Sequence, residues 1–245
     1  MHALSLGAAE RSRLVVGAGL FGVALDRQAI DRFARYAELL AVWSARMNLL
    51  SCRSGAELVA RHLVDSLALS PHLEDAVTIA DLGSGAGLPG VPLAISAPQR
   101  RLVLIESRRR RASFLREVKR TLELANLEVM EGRAEAVNDV ETDCVVNGTR
   151  KDSGDKSWSV RADAVVCRAV WSDERVLAIA VKWLRPGGAL LWMRAKGRVG
   201  EREAPTGSPQ GARGALVLQQ RVDYQVPSGA PRRIEIYRDV SRETS

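Results

Sequence analysis

The stretch Ile79-Ala-Asp-Leu-Gly-Ser-Gly-Ala-Gly-Leu-Pro-Gly90 sets glycines at 83, 85, 87 and 90 directly after an apolar run. Glycines this close let the backbone turn sharply and approach a ligand, with free N–H groups expected at the start of the helix that follows. Gly85, Gly87 and Gly90 satisfy the G-x-G-x-x-G register of dinucleotide sites. Glu106 ends the next apolar run, where it can accept hydrogen bonds from ribose hydroxyls. Two ligand classes compete for such a turn: a nicotinamide or flavin dinucleotide, and S-adenosylmethionine. Asp81 separates them. A carboxylate aimed at the turn repels a pyrophosphate but attracts a sulfonium cation that carries no phosphate. The D-x-G-x-G-x-G order therefore favours the methyl donor. Trp183-Leu-Arg-Pro-Gly-Gly-Ala-Leu-Leu191 points the same way, being a helix end, a tight turn and a strand of the kind common late in methyltransferase domains. Gly17, Gly19 and Gly22 also spell G-x-G-x-x-G, but only three apolar residues precede Gly17 and no second strand follows, so that match is set aside.

Alternating elements must position these residues. Ala76–Leu82, Leu102–Ile105, Leu127–Met130, Ala164–Cys167 and Ala189–Met193 read as strands, with helices over Arg108–Leu124 and Ser172–Leu184. Strands separated by helices imply βαβ units and a parallel sheet. Leu216–Tyr224 and Arg233–Tyr237 suit an antiparallel pair closing it. The expected fold is therefore α/β: a Rossmann-like, doubly wound, mostly parallel sheet with antiparallel closing strands and a helical N-terminal extension.

In that extension, Ile30, Phe33, Ala37 and Leu40 fall on one helical face after Asp26, a candidate N-cap. Ser54 and Glu57 form a capping-box pattern opening a second helix, which Pro71 stops. The expected division is a helical extension over 1–75 packing on the core and a donor-binding domain over 76–245. A polar stretch at 138–161 reads as a loop insertion, and 201–214 as a second loop. Leu14–Leu25 resembles a signal-peptide core but lacks a small-x-small cleavage pattern and is too short to span a bilayer, so it is expected to pack internally.

The 245 residues are 46% hydrophobic and 27% charged, as in an ordinary globular enzyme, with a formal net charge of +7. Between Arg100 and Arg120 nine Lys or Arg face two Glu, so this window alone carries +7. A solvated helix face and a nucleic-acid contact both produce such a run. Cys52, Cys144 and Cys167 lie far apart without a CxxC pair, which argues against a zinc site or a disulfide framework and suits a reducing cytosol. No metal is expected.

Several blocks together resemble the RsmG (GidB) family of bacterial methyltransferases, which act on N7 of a guanine in 16S ribosomal RNA. They are Trp43 with Asn48-Leu49; Arg61-His62-Leu-Val-Asp65-Ser66; Asp81 through Pro92; Glu106-Ser107; Phe114-Leu115-Arg116-Glu117; Gly132-Arg133-Ala134-Glu135; Arg168-Ala169-Val170; and, more weakly, Lys196-Gly197. The resemblance spans roughly residues 26 to 240 and implies S-adenosyl-L-methionine as donor. It further implies 16S ribosomal RNA, free or in a small-subunit intermediate, as partner. The chain is expected to be a cytoplasmic monomer without membrane contact. The family pattern carries donor binding onto Gly83, Leu88, Ala134, Glu135 and Arg168, beside Gly85 and Glu106 from the turn.

Guanine N7 has a lone pair and no proton, so its attack on a sulfonium methyl needs alignment rather than a general base. The three histidines show no triad-like spacing, His62 reads as a hydrogen-bonded packing residue, and no catalytic acid or base is assigned. Arg133, Arg168 and Lys196 are candidates to hold guanine O6. Arg108, Arg109, Arg110, Arg111, Arg116, Lys119 and Arg120 are candidates for RNA phosphates. Aromatic residues make up only 4%, too few for a multi-base stacking platform. A small-molecule methyltransferase and a dinucleotide-binding regulator on the same architecture remain alternatives.

Overall fold

The computed structural model describes residues 4–135, 145–146, 149–150, 161–168, 173–196 and 215–240. Four helices precede the first strand: α1 (Ala8–Gly19), α2 (Arg27–Ser44), α3 (Gly55–Leu58) and α4 (Val64–Leu67), the last two joined by a π-helical turn over Val59–Leu63. Then come β1 (Thr78–Leu82), α5 (Gly90–Ser96), β2 (Arg101–Glu106), α6 (Arg109–Thr121) and β3 (Leu127–Glu131). Two-residue strands β4 (Val145–Val146) and β5 (Thr149–Arg150) follow, then β6 (Ala162–Arg168), α7 (Asp173–Trp183), β7 (Leu184–Ala195), β8 (Leu216–Gln225) and β9 (Pro231–Asp239).

The strands form one sheet in the order β5-β4-β3-β2-β1-β6-β7-β9-β8. Pairs β3–β2, β2–β1, β1–β6 and β6–β7 are parallel, while β7–β9 and β9–β8 are antiparallel. Strand alternation divides the core. Ile79, Leu102, Leu104, Val129 and Val166 pack against α1, α2, α4, α5 and α6. Their neighbours Ala80, Val103, Ile105, Val165 and Cys167 meet α7 through Val176, Leu177, Ala180 and Trp183. The chain winds outward in opposite directions from β1 and β6, and such a switch point opens a crevice at the carboxyl ends of the strands. Gly83, Glu106, Arg133 and Arg168 all emerge at that edge. The expected Rossmann-like α/β fold is present.

The Asp26 side chain accepts from Ala29 N at 2.7 Å and so caps α2, whose Phe33, Ala37 and Leu40 are buried. Ser54 accepts from Glu57 N, but Glu57 reaches back to Arg53 N rather than to Ser54 N, so the capping box closes one residue early. Leu14–Leu25 departs from its expected burial. Leu14 and Ala18 are buried, whereas Val16 and Leu20 are each 66% exposed. The apolar run wraps a helix that begins at Ala8, and only one stripe of a helix can face a core. The 138–161 stretch lies largely outside the described residues, and 201–214 wholly so.

Among the described residues, no helix is long and apolar enough to cross a membrane, and no His, Cys, Asp or Glu cluster suits a metal ion.

Candidate active site

The bend after β1 is held from below by β2. Gly83 N and Ser84 N both donate to Ile105 O, at 2.9 and 3.1 Å, and Ser84 Oγ donates back to Asp81 O at 2.9 Å. Gly83, Gly85 and Gly87 have φ of 71°, 58° and 88°, the left-handed region open to glycine at little cost. The other glycine requirements differ in kind. A Cβ on Gly90 would lie 2.2 Å from Leu104 Cδ2, and one on Gly87 would lie 2.6 Å from Val91 Cγ2, so both are packing glycines. A Cβ on Gly85 would meet no heavy atom nearer than 3.7 Å. Those nearest atoms, Arg111 Nη1 and Gly83 O, are at ordinary contact distance, so Gly85 is demanded by its left-handed φ and not by packing.

The helix N–H groups are not free as expected. Gly90 N donates to Asp81 Oδ2 at 3.0 Å, and Val91 N to Gly87 O at 2.7 Å. Asp81 is thus the cap of α5, buried beneath the bend. Its Oδ1 is also buried and has no hydrogen-bond partner. Burial pushes its pKa up to about 7, against the lowering pull of Gly90 N and Ser84. An unpartnered carboxylate oxygen under a glycine turn favours a cationic ligand and disfavours a phosphate.

Glu106 is buried at the end of β2, and its two oxygens accept from Gly85 N at 2.9 Å and Arg108 N at 2.7 Å. It therefore ties the bend to the start of α6. From the extension, the buried Tyr36 hydroxyl donates to Ala86 O at 2.5 Å, so α2 clamps the same bend from the other side. Sequence reading missed Tyr36 because it sits on the buried stripe of α2 like any core residue.

Ala134 is buried, and its carbonyl accepts from Trp183 Nε1 at 2.9 Å. Glu135 is ion-paired with Arg175. At the end of β6, Arg168 donates from Nη1 to Asp65 Oδ2 at 3.3 Å, and its Nη2 lies 3.1 Å from His62 Nδ1. Lys196 pairs with Asp223 at 2.6 Å, and Arg133 is exposed. His62 is kept neutral by burial and by the Arg168 and Arg61 charges, which push its pKa down to about 3.

The basic run divides. Arg108, Arg109 and Arg110 are exposed at the start of α6, and Arg111 donates to Asn48 O at 3.4 Å. Arg116 pairs with Glu131 at 2.9 Å and Arg120 with Glu117 at 2.6 Å, while Lys119 is half-buried. Arginines on the first turn of a helix oppose its dipole at about 0.3–1 kcal/mol each, and α6 has no acidic residue there to offset them.

A family model described as rRNA small subunit methyltransferase G (GidB) matches residues 29–210. A ribosomal RNA small subunit methyltransferase G of Xanthomonas euvesicatoria is 39% identical over 176 residues, covering 72% of this chain and 74% of the relative. One from Pseudomonas paraeruginosa is 46% identical over 123 residues, covering 50% and 58%. Among solved structures, an O-methyltransferase from Bacillus cereus in complex with SAH matches with a TM-score of 0.50 at 16% identity. That match covers 83% of this chain and 90% of the other, and it shows the class I methyltransferase fold alone. By family model and relatives together, the chain belongs to the GidB family, rRNA small subunit methyltransferase G.

Proposed function

We propose that the chain transfers a methyl group from S-adenosyl-L-methionine directly to N7 of one guanine in 16S ribosomal RNA, without a general base and without a metal. The observation that carries this reading is the buried Asp81 Oδ1, left without a partner beneath a bend whose Gly83, Gly85 and Gly87 are all left-handed. Gly83, Gly85, Leu88, Glu106, Ala134, Glu135 and Arg168 would hold the donor, with residues 76–245 as the catalytic domain and 1–75 as its helical extension. When bound, the donor supplies an activated methyl carbon on a sulfonium.

The chain's part is placement. Asp81 supplies negative potential below the bend, and Glu106 and Tyr36 keep the bend rigid, which limits misalignment of the reacting atoms. Arg168 carries fixed positive charge at the end of β6, suited to hold guanine O6 while leaving N7 open. Arg133 and Lys196 are the secondary candidates, with Lys196 engaged by Asp223. Arg108, Arg109 and Arg110 are exposed for phosphate contact; Arg111, Arg116, Lys119 and Arg120 would contribute mainly through their field.

Incubation with radiolabelled donor and either naked 16S RNA, intact small subunits or free metabolites tests the reading. Label in RNA is expected; label only in metabolites would overturn it in favour of a small-molecule enzyme. NADH binding without donor binding would favour a dinucleotide-reading regulator. Gly83→Asp, at a φ of 71°, is expected to abolish donor binding in calorimetry while leaving the unfolding temperature within a few degrees.

A further inference from the structure

Four separate elements converge on one buried carboxylate beside the proposed site. Asp65, on α4, is 2% exposed. Its Oδ1 accepts from the Tyr224 hydroxyl of β8 at 2.7 Å, and Arg232 Nε of β9 lies 3.6 Å away. Its Oδ2 takes Arg168 Nη1 from the end of β6, and the second Arg168 nitrogen meets His62 Nδ1. Because Nδ1 faces a cation that can only donate, the neutral His62 ring carries its proton on Nε2. Removing a carboxylate from water is costly unless it is well paired, and two arginines and a phenol meet that need here. The π-helical turn over Val59–Leu63 directly precedes α4, and single π turns recur where a helix must aim side chains at a site.

Arg168 is held at two corners of its guanidinium. Of its five N–H groups, the remaining three have no protein partner among the described residues, and its side chain is 21% exposed. A guanidinium fixed in this way presents a defined planar edge, while a free one samples many orientations.

We infer that Asp65, aided by the Tyr224 hydroxyl, is a positioning residue that locks the Arg168 guanidinium in the orientation from which it meets the acceptor guanine. This rests on the RNA-methylation reading above and adds to it a role for the β8–β9 hairpin. The hairpin is then part of the site's support, since Tyr224 reaches Asp65 across 159 positions of sequence.

Two readouts test the clamp in the full chain. In NMR, the Arg168 Nη–H signals should be resolved in the wild type and collapse by faster guanidinium rotation in Tyr224→Phe, with Asp65→Asn acting more strongly. In methyl transfer to 16S RNA, Tyr224→Phe should lower kcat about tenfold with Tm within about 2 °C. That loss should vanish in an Arg168→Ala background, because the hydroxyl then has nothing to position. Unchanged Arg168 signals in Tyr224→Phe, or an equal kcat loss in both backgrounds, would overturn the inference. If the wild type labels no RNA, the proposed function falls, and the NMR comparison alone decides whether the clamp exists.

Discussion

Asp81 has a charge state that should govern donor binding. Its pKa, raised by burial from 3.8 to about 7, means that the folded chain keeps a proton across a range where the unfolded chain has lost it. The folded state binds more protons between those limits, so this residue's contribution to stability declines as pH rises from about 4 to about 7. A cationic donor prefers the ionised form. Donor affinity in calorimetry should therefore strengthen by up to about tenfold from pH 6 to pH 8, and a flat profile would contradict the placement. Asp81→Asn keeps an oxygen for Gly90 N but removes the buried charge. It should raise Tm at pH 8 while weakening donor binding by at least about tenfold. Of the site, Asp81 and the glycines were legible because their chemistry is local. That both Glu106 oxygens would hold backbone N–H groups was not, since that depends on where β2 ends relative to the bend.

At the scale of elements, α1 and α6 give separate tests. Gly17, one of the three glycines in the second G-x-G-x-x-G match, lies where α1 crosses α4, and a Cβ there would sit 2.5 Å from Val64 Cγ2. Gly17→Ala should cost about 1–3 kcal/mol in denaturant unfolding, whereas Gly19→Ala, with nothing within 4 Å, should be neutral or slightly stabilising. Equal effects would mean that α1 does not pack there. For α6, replacing Arg108, Arg109 and Arg110 together by Gln should weaken RNA binding and flatten the slope of log K against log salt by about 2–3, with donor affinity unchanged. An unaltered slope would leave these arginines as a solvated face. Strands β1, β2, β3, β6, β8 and β9, the Ala189–Met193 part of β7, and helices α2, α6 and α7 followed from their apolar patterns. Strands β4 and β5 fall in a stretch read as a loop, and α5, buried over Gly90–Ile95, has no stripe to show. The π turn before α4 was not legible either, for no residue type there marks an extra backbone residue in the turn.

Over the whole molecule, a sheet winding outward from β1 and β6 gathers distant residues at one edge. The order of elements was readable from alternating patterns, including the antiparallel β8–β9 closure. The partners of Arg168 were not, because Asp65 lies 103 positions away and Tyr224 joins through it from the far end of the sheet. Basic charge concentrated at the start of α6 stands beside the same edge, next to the buried carboxylates of Asp81 and Glu106. Transfer to a guanine ring nitrogen would leave a chemically distinct base in the RNA. Treating donor-reacted 16S RNA with borohydride and then aniline cleaves the chain only at N7-methylated guanosine. One cleavage site, absent without donor and absent with Gly83→Asp, is the predicted result; methyl label incorporated into the RNA with no such cleavage would contradict it.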